Sequence, residues 1–190
     1  TVADWRGLFV FLALIGAGIL VIALGMFPET LPADSRATGG FAHTLRDFRT
    51  LLSDRVFVGA ILNQGFLYGA LFAYLAGSTF VLQNIYGLSP LAYALAFGLN
   101  SAGFTTLGYL AGRAAERWSL SGTLTLGILI AGVGAGGLLS AGLTRMPLWV
   151  VIVSLFLLAG GVAISSPPAT TLALVDYPQM AGTASSLLGK

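Results

Sequence analysis

Apolar positions in this chain do not alternate with polar ones; they run on. Uncharged and mostly apolar stretches cover Gly7 to Phe27, Val56 to Gly112, Trp118 to Thr144 and Met146 to Val175. The second is broken by the turn-like Tyr86-Gly87-Leu88-Ser89-Pro90, so it holds two elements and their connection. A helix crosses a hydrocarbon layer about 30 Å thick with roughly 20 apolar residues. A barrel strand instead alternates over about ten. The pattern therefore predicts an all-α, polytopic transmembrane helix bundle with five full spans, and Ala181 to Gly189 opens a sixth. With no initiating Met and a last run that stops at Lys190, the reading expects a piece of a longer chain.

Between the first two spans the period changes. Phe41, Leu45, Phe48, Leu52 and Val56 recur at helical spacing, with His43, Arg46, Asp47, Arg49 and Ser53 on other faces. That predicts an amphipathic helix lying in the membrane interface. It is either a plain connector or an element that couples the membrane parts on its two sides. Basic residues set the orientation: Arg36, Arg46, Arg49, Arg55, Arg113 and Arg117 fall on one side, Arg6 and Arg145 on the other. The richer side is cytoplasmic by the positive-inside bias. The expected organisation is 1–27 as external end and first span, 28–55 as a cytoplasmic linker with the interfacial helix, and 56–190 as four further spans and a truncated last one.

Composition narrows the chemistry. The 190 residues are 56% hydrophobic and 8% charged, with a mean hydropathy of +0.90, which excludes a water-soluble globular domain. There is no cysteine and one histidine, His43, so no metal-ligand set, thiol chemistry or other cofactor site is expected. Ser165, Ser166 and Thr170 have no His or Cys within the spans to activate them, which argues against an enzyme. The net charge of +2 leaves no basic stripe for nucleic acid, and membrane lipid is the surrounding partner. No acidic residue falls inside a full span, so the chain has no intramembrane carboxylate to carry a proton.

One stretch is more specific. Gly108-Tyr109-Leu110-Ala111-Gly112-Arg113-Ala114-Ala115-Glu116-Arg117 resembles the G-x-L-A-D-R-x-G-R-R signature of the major facilitator superfamily. That signature follows the family's second span and recurs, degraded, after its eighth. Gly108, Leu110, Ala111, Arg113 and Arg117 match, while Gly112 replaces the Asp, Ala115 the second Gly and Glu116 one Arg. The weaker second copy is the better match, so the five spans resemble helices six to ten and the start of helix eleven, a partial carboxy-terminal half of a facilitator-type transporter. Pro28-Glu29-Thr30-Leu31-Pro32, after the first span, is similar to the exit of helix six. The words Phe72 to Gln83, Tyr86 to Pro90, Phe97-Gly98-Leu99-Asn100 and Ala181 to Gly189 resemble the Bcr/CflA group of multidrug efflux proteins. The resemblance implies a multi-pass protein of the bacterial inner membrane that exports small apolar drugs by proton antiport. The proton is its coupling ion, and an amino-terminal half, not present here, is its partner. An importer of a sugar or organic ion, or a structural membrane subunit, stays open as an alternative.

Candidate site residues follow from polarity. The first and fourth spans contain no Asn or Gln, whereas the second has Asn63 and Gln64 and the third Asn100. The resemblance implies that helices seven, eight, ten and eleven line the central cavity while six and nine stand outside, which is the division these amides make. Gln64, Tyr68 and Phe72 share a helical stripe, as do Asn100 and Phe104, and these five are the candidate drug-binding residues. Interhelical hydrogen bonding by the amides is the plainer alternative. Gly65, Gly69, Ala73 and Gly77 form a small-residue column that predicts a close helix contact. Gly108, Arg113 and Arg117 serve either a charge-relay gate or topology. Pro167 and Pro168 predict a kink near the end of the fifth span, with Ser165, Ser166, Thr170 and Thr171 available to the carbonyls they free.

Overall fold

The structure, a computed structural model, describes residues 5–26 and 41–189. The Pro28–Pro32 segment, Arg36 and Lys190 lie outside the described residues. The chain divides into two units, Thr1–Gly40 and Phe41–Lys190. The first contains one helix, α1 (Trp5–Met26), of 22 residues, about 33 Å long at 1.5 Å per residue.

The second unit is helical wherever it is regular. A short helix α2 (Phe41–Ser53) leads into α3 (Arg55–Thr79), which continues as a π-helical segment, Phe80–Ile85. Then come α4 (Pro90–Arg117), α5 (Leu120–Thr144), α6 (Leu148–Leu174), a 3-10 turn at Pro178–Met180 and α7 (Ala181–Leu187). Local chemistry fixes the starts. The Asp54 carboxylate accepts from the Val56 N–H at 2.8 Å and caps α3. Ser89 caps α4 ahead of Pro90, and Ser119 caps α5 by accepting from Gly122 N–H at 3.0 Å. Gly87, in the turn between the π segment and α4, has φ +72°, the left-handed conformation that the Tyr-Gly-Leu-Ser-Pro word suggested.

Among the described residues four helices are long and apolar enough to cross a membrane: Arg6–Met26, Arg55–Ile85, Leu120–Thr144 and Leu148–Leu174. Five full spans were expected. The difference is α4, which at 28 residues has the length but is the least apolar of the five long helices because it carries Asn100, Ser101, Thr105 and Thr106.

Helix α6 is the hub of this unit: α5, α4 and α3 each pack along it. Its middle, from Leu158 to Ser165, is buried throughout. The closest approach is between α5 and α6. A Cβ at Gly127 would sit 2.6 Å from Ser165 N, one at Gly134 2.5 Å from Leu158 N, and one at Gly161 would run into the Ala131 backbone. Small residues at this crossing let the two backbones meet, which is how helices associate where lipid is as apolar as leucine. The column expected to do this, on α3, does not. A Cβ at Gly65, Gly69 or Gly77 meets nothing within 4 Å among the described residues, because α3 turns a different stripe, the one bearing Gln64, Tyr68, Tyr74 and Ser78, to its neighbours.

The two ends of the bundle are closed differently. At one, Leu51 of α2 and Phe57 of α3 are fully buried with Ala60, Ala173, Ala184 and Leu188, so α2 docks on α3 and α7. The apolar stripe expected to face the membrane interface is largely outside the helix contacts, with Leu45, Leu52 and Val56 more than half exposed and Phe48 partly buried, while Leu51, outside that stripe, is the anchor. At the other end the Tyr86 hydroxyl donates to the Met146 carbonyl at 2.7 Å, tying the turn before α4 to the turn before α6.

Candidate functional site

The polar stripe of α3 changes partner along its length. In the half near Asp54 it faces α6: Gln64 Nε2 donates to Thr170 Oγ1 at 3.1 Å, and the Tyr68 and Ser166 hydroxyls lie 3.4 Å apart. In the other half it faces α4, where Asn100 Nδ2 donates to the Tyr74 hydroxyl at 3.0 Å. Tyr93 completes that side, 3.2 Å from Ser78 Oγ and accepting from Thr79 Oγ1 at 2.9 Å. Among the described residues two buried polar atoms have no hydrogen-bond partner, Gln64 Oε1 and Asn63 Nδ2, a costly arrangement in an apolar interior.

Between α3 and α4, floored by Ala159 of α6, lies a cavity of about 220 Å³. Tyr74, Phe97 and Phe104 supply its aromatic walls, Leu71 and Leu75 its aliphatic ones, and Asn100 its amide. The Phe97 ring stands 6.1 Å from the Tyr74 ring in the wall and 6.1 Å from Tyr93 outside it, and Ser101 and Thr105 add two hydroxyls to the lining. No Asp, Glu, Lys or Arg is among the lining residues. A second, larger groove of about 880 Å³ separates α3 and its π segment from α5, with Leu155 and Leu158 of α6 as its floor and Arg145 at one end. Tyr74 borders both.

The five candidate binding residues thus part company. Asn100 and Phe104 line the smaller cavity. Gln64 and Tyr68 sit on the α3–α6 seam and are engaged there. Phe72 lines neither space and is 67% exposed, because the i, i+4, i+8 stripe drifts around α3 by the time it reaches position 72. Tyr74 and Phe97 were missed. Phe97 was legible, at i, i+3 and i+7 with Asn100 and Phe104 on α4. Tyr74 was not, since only the pairing of α3 with α4 reveals it.

Around the signature-like stretch, Arg113 lies over the Tyr109 ring at 4.7 Å, a contact within its own helix. Among the described residues neither Arg113 nor Arg117 makes an ion pair. Arg117 ends α4, where a cation complements the helix dipole. A Cβ at Gly108 would touch Ala163 at an ordinary 3.7 Å. Pro167 and Pro168 lie inside α6, which continues as helix through both. They deprive the carbonyls of Ala163 and Ile164 of their helical donors. The nearby hydroxyls do not replace those donors as expected: Ser165 donates to Gly161 and Val162, Thr170 to Ser166, and Thr171 to Pro167.

The Major Facilitator Superfamily model matches residues 1–189. The chain belongs to the major facilitator superfamily. Similar proteins include an uncharacterized MFS-type transporter, YdgK, of Bacillus subtilis, 30% identical over 98% of this chain and 46% of its own length. Multidrug resistance protein D of Escherichia coli is 28% identical over 100% of this chain and 47% of its length. A bicyclomycin resistance protein homolog of Haemophilus influenzae is 24% identical, over 97% and 46%. The chain spans about half the length of these relatives. No solved structure matches. The family is one of membrane transporters and not of enzymes, and the long apolar helices make this chain multi-pass, in agreement with the signature at Gly108–Arg117 and the Bcr/CflA-like words.

Proposed function

We propose that the complete transporter exports small, mostly apolar drugs across the bacterial inner membrane in exchange for protons, and that this chain supplies part of its drug-binding and scaffolding half. The observation that carries the reading is the half-open cavity between α3 and α4: the rings of Tyr74, Phe97 and Phe104, the Asn100 amide, the Ser101 and Thr105 hydroxyls and no charged side chain. Apolar area of this kind supplies affinity for varied compounds, and a few polar groups orient them. An organic-ion importer would need a countercharge, which the lining does not offer. Two of the relatives bear drug-resistance names, which favours export. With no acidic residue inside the spans of this chain, the proton is carried by the remainder of the transporter. Arg113 and Arg117 then serve to hold α4 and its following loop on the cytoplasmic side.

The test is drug sensitivity of a pump-deficient bacterium expressing the complete gene, paired with drug accumulation in everted vesicles energised by a pH gradient. Resistance to several apolar drugs, with accumulation abolished by collapsing the gradient, supports proton-coupled export. Unchanged sensitivity with uptake of a sugar or organic ion in intact cells supports the importer.

A further inference from the structure

We propose that Tyr74 is the specificity-determining donor of the α3–α4 cavity, and that the cavity takes an uncharged aromatic compound bearing a hydrogen-bond acceptor such as a ketone oxygen. The inference rests on the export reading and adds to it a substrate class and a residue outside the five candidate binding positions.

Tyr74 is 8% exposed, and its ring is held beside Phe97. Its hydroxyl accepts from Asn100 Nδ2 at 3.0 Å, so the hydroxyl's own proton is not used in that bond. A phenol both donates and accepts, so Tyr74 keeps a donor at the lining, where Ser101 and Thr105 already donate to the Phe97 and Ser101 carbonyls within α4 and the wall beyond Asn100 is aliphatic and aromatic carbon. In such surroundings an unmade hydrogen bond is costly and a made one selective: a site built to hydrogen-bond a ligand discriminates against the analogue lacking the partner atom. Asn100 fixes the orientation of the hydroxyl and polarises it. It acts through Tyr74, as a positioning residue.

Charge is excluded by the same walls. Residues 56–112 contain no ionisable Asp, Glu, Lys or Arg, and neither does α6. A cation or anion in the cavity would be desolvated without a countercharge. The space is half open, and its 220 Å³ has room for one substituted ring, since ~150 Å³ accepts benzene.

The experiment uses the full-length transporter in energised proteoliposomes, with an aryl ketone, its methylene analogue and a trimethylammonium analogue of the same ring as probes. The wild type should move the ketone about tenfold better than the methylene compound, the discrimination expected of one buried hydrogen bond, and the cation least. Tyr74→Phe keeps the ring and removes the hydroxyl; it should bring the ketone-to-methylene ratio from about ten down to about one. A ketone-to-methylene ratio that is the same in Tyr74→Phe and wild type overturns the role of Tyr74 while export stands. Preference for the cation overturns the substrate class. If the wild type moves none of the three although other drugs are exported, the cavity assignment falls; if it moves no drug at all, the export reading falls with it. Should Tyr74→Phe fail to fold, the carbonyl stretch of the ketone bound to wild-type protein decides: a shift to lower frequency on binding supports a donated hydrogen bond, and an unshifted band overturns it.

Discussion

The hydroxyl of Tyr177, in the connection after α6, donates to Asp54 Oδ2 at 2.8 Å across 123 residues of sequence. Asp54 is also the N-cap of α3, so one carboxylate starts α3 and ties it to the end of α6. The Tyr177 ring meets Phe57 edge-on at 5.8 Å, which seats the bond over the buried Leu51–Phe57 cluster.

This pair sets a pH window. The Tyr177 bond, then the Val56 amide, holds the Asp54 carboxyl below its ordinary value of 3.8. The stabilisation is therefore present above that value and is lost as pH falls through the lowered one. The Tyr177 phenol, held by Asp54, is raised above its ordinary 10.0, so its share is present below 10.0 and lost above the raised value. Melting of the purified full-length protein should be flat through neutral pH and fall at both extremes, and Tyr177→Phe should shrink both limbs. Identical profiles for variant and wild type would remove the pair from the account.

The α5–α6 crossing depends on its glycines. Gly161→Ala forces a Cβ into the Ala131 backbone and should cost about 1–3 kcal/mol by overpacking. Gly136→Ala, on the same pair of helices where a Cβ meets nothing, should cost far less. Detergent-solubilised melting temperatures of the two variants give the comparison, and equal shifts would contradict the close approach.

Double replacement of Pro167 and Pro168 by Ala restores two backbone donors within an otherwise continuous α6. Thermal stability should rise while the transport rate falls, if the weakened turn flexes during the cycle. A rate equal to wild type would make the prolines a static feature.

Arg113 touches Tyr109 and no carboxylate among the described residues, so a topological role predicts little from single changes. Arg113→Gln alone should keep at least half of wild-type transport, whereas Arg113→Gln with Arg117→Gln should increase the fraction of chains whose loop labels from the wrong side. Lost transport in the single variant with normal labelling would establish a gate instead.

Helix number, the α2 helix and the family were legible because each rests on short-range pattern: continuous apolar runs, a 3.6 period, a ten-residue signature. Which stripe of a helix meets which neighbour is a long-range fact. The Gly65–Gly77 column and the Gly127–Gly134 residues look alike in sequence, and only the second meets a partner among the described residues. The same holds for the site. Asn100 was marked by its amide in an apolar run, whereas Tyr74 gains its meaning from Asn100, 26 residues away on another helix. Phe72 was misplaced because an i, i+4, i+8 stripe advances about 40° per step at 3.6 residues per turn, ~80° by position 72.

Drug-by-drug transport at matched membrane expression tests the central claim, that the α3–α4 cavity binds the substrate. Asn100→Ala and Phe104→Ala, both in the lining, should change the rank order among chemically different drugs, and Phe72→Ala, on the exposed side of α3, should leave that order as it is. A uniform loss or no loss in the two cavity variants, or a changed order in Phe72→Ala, would contradict it.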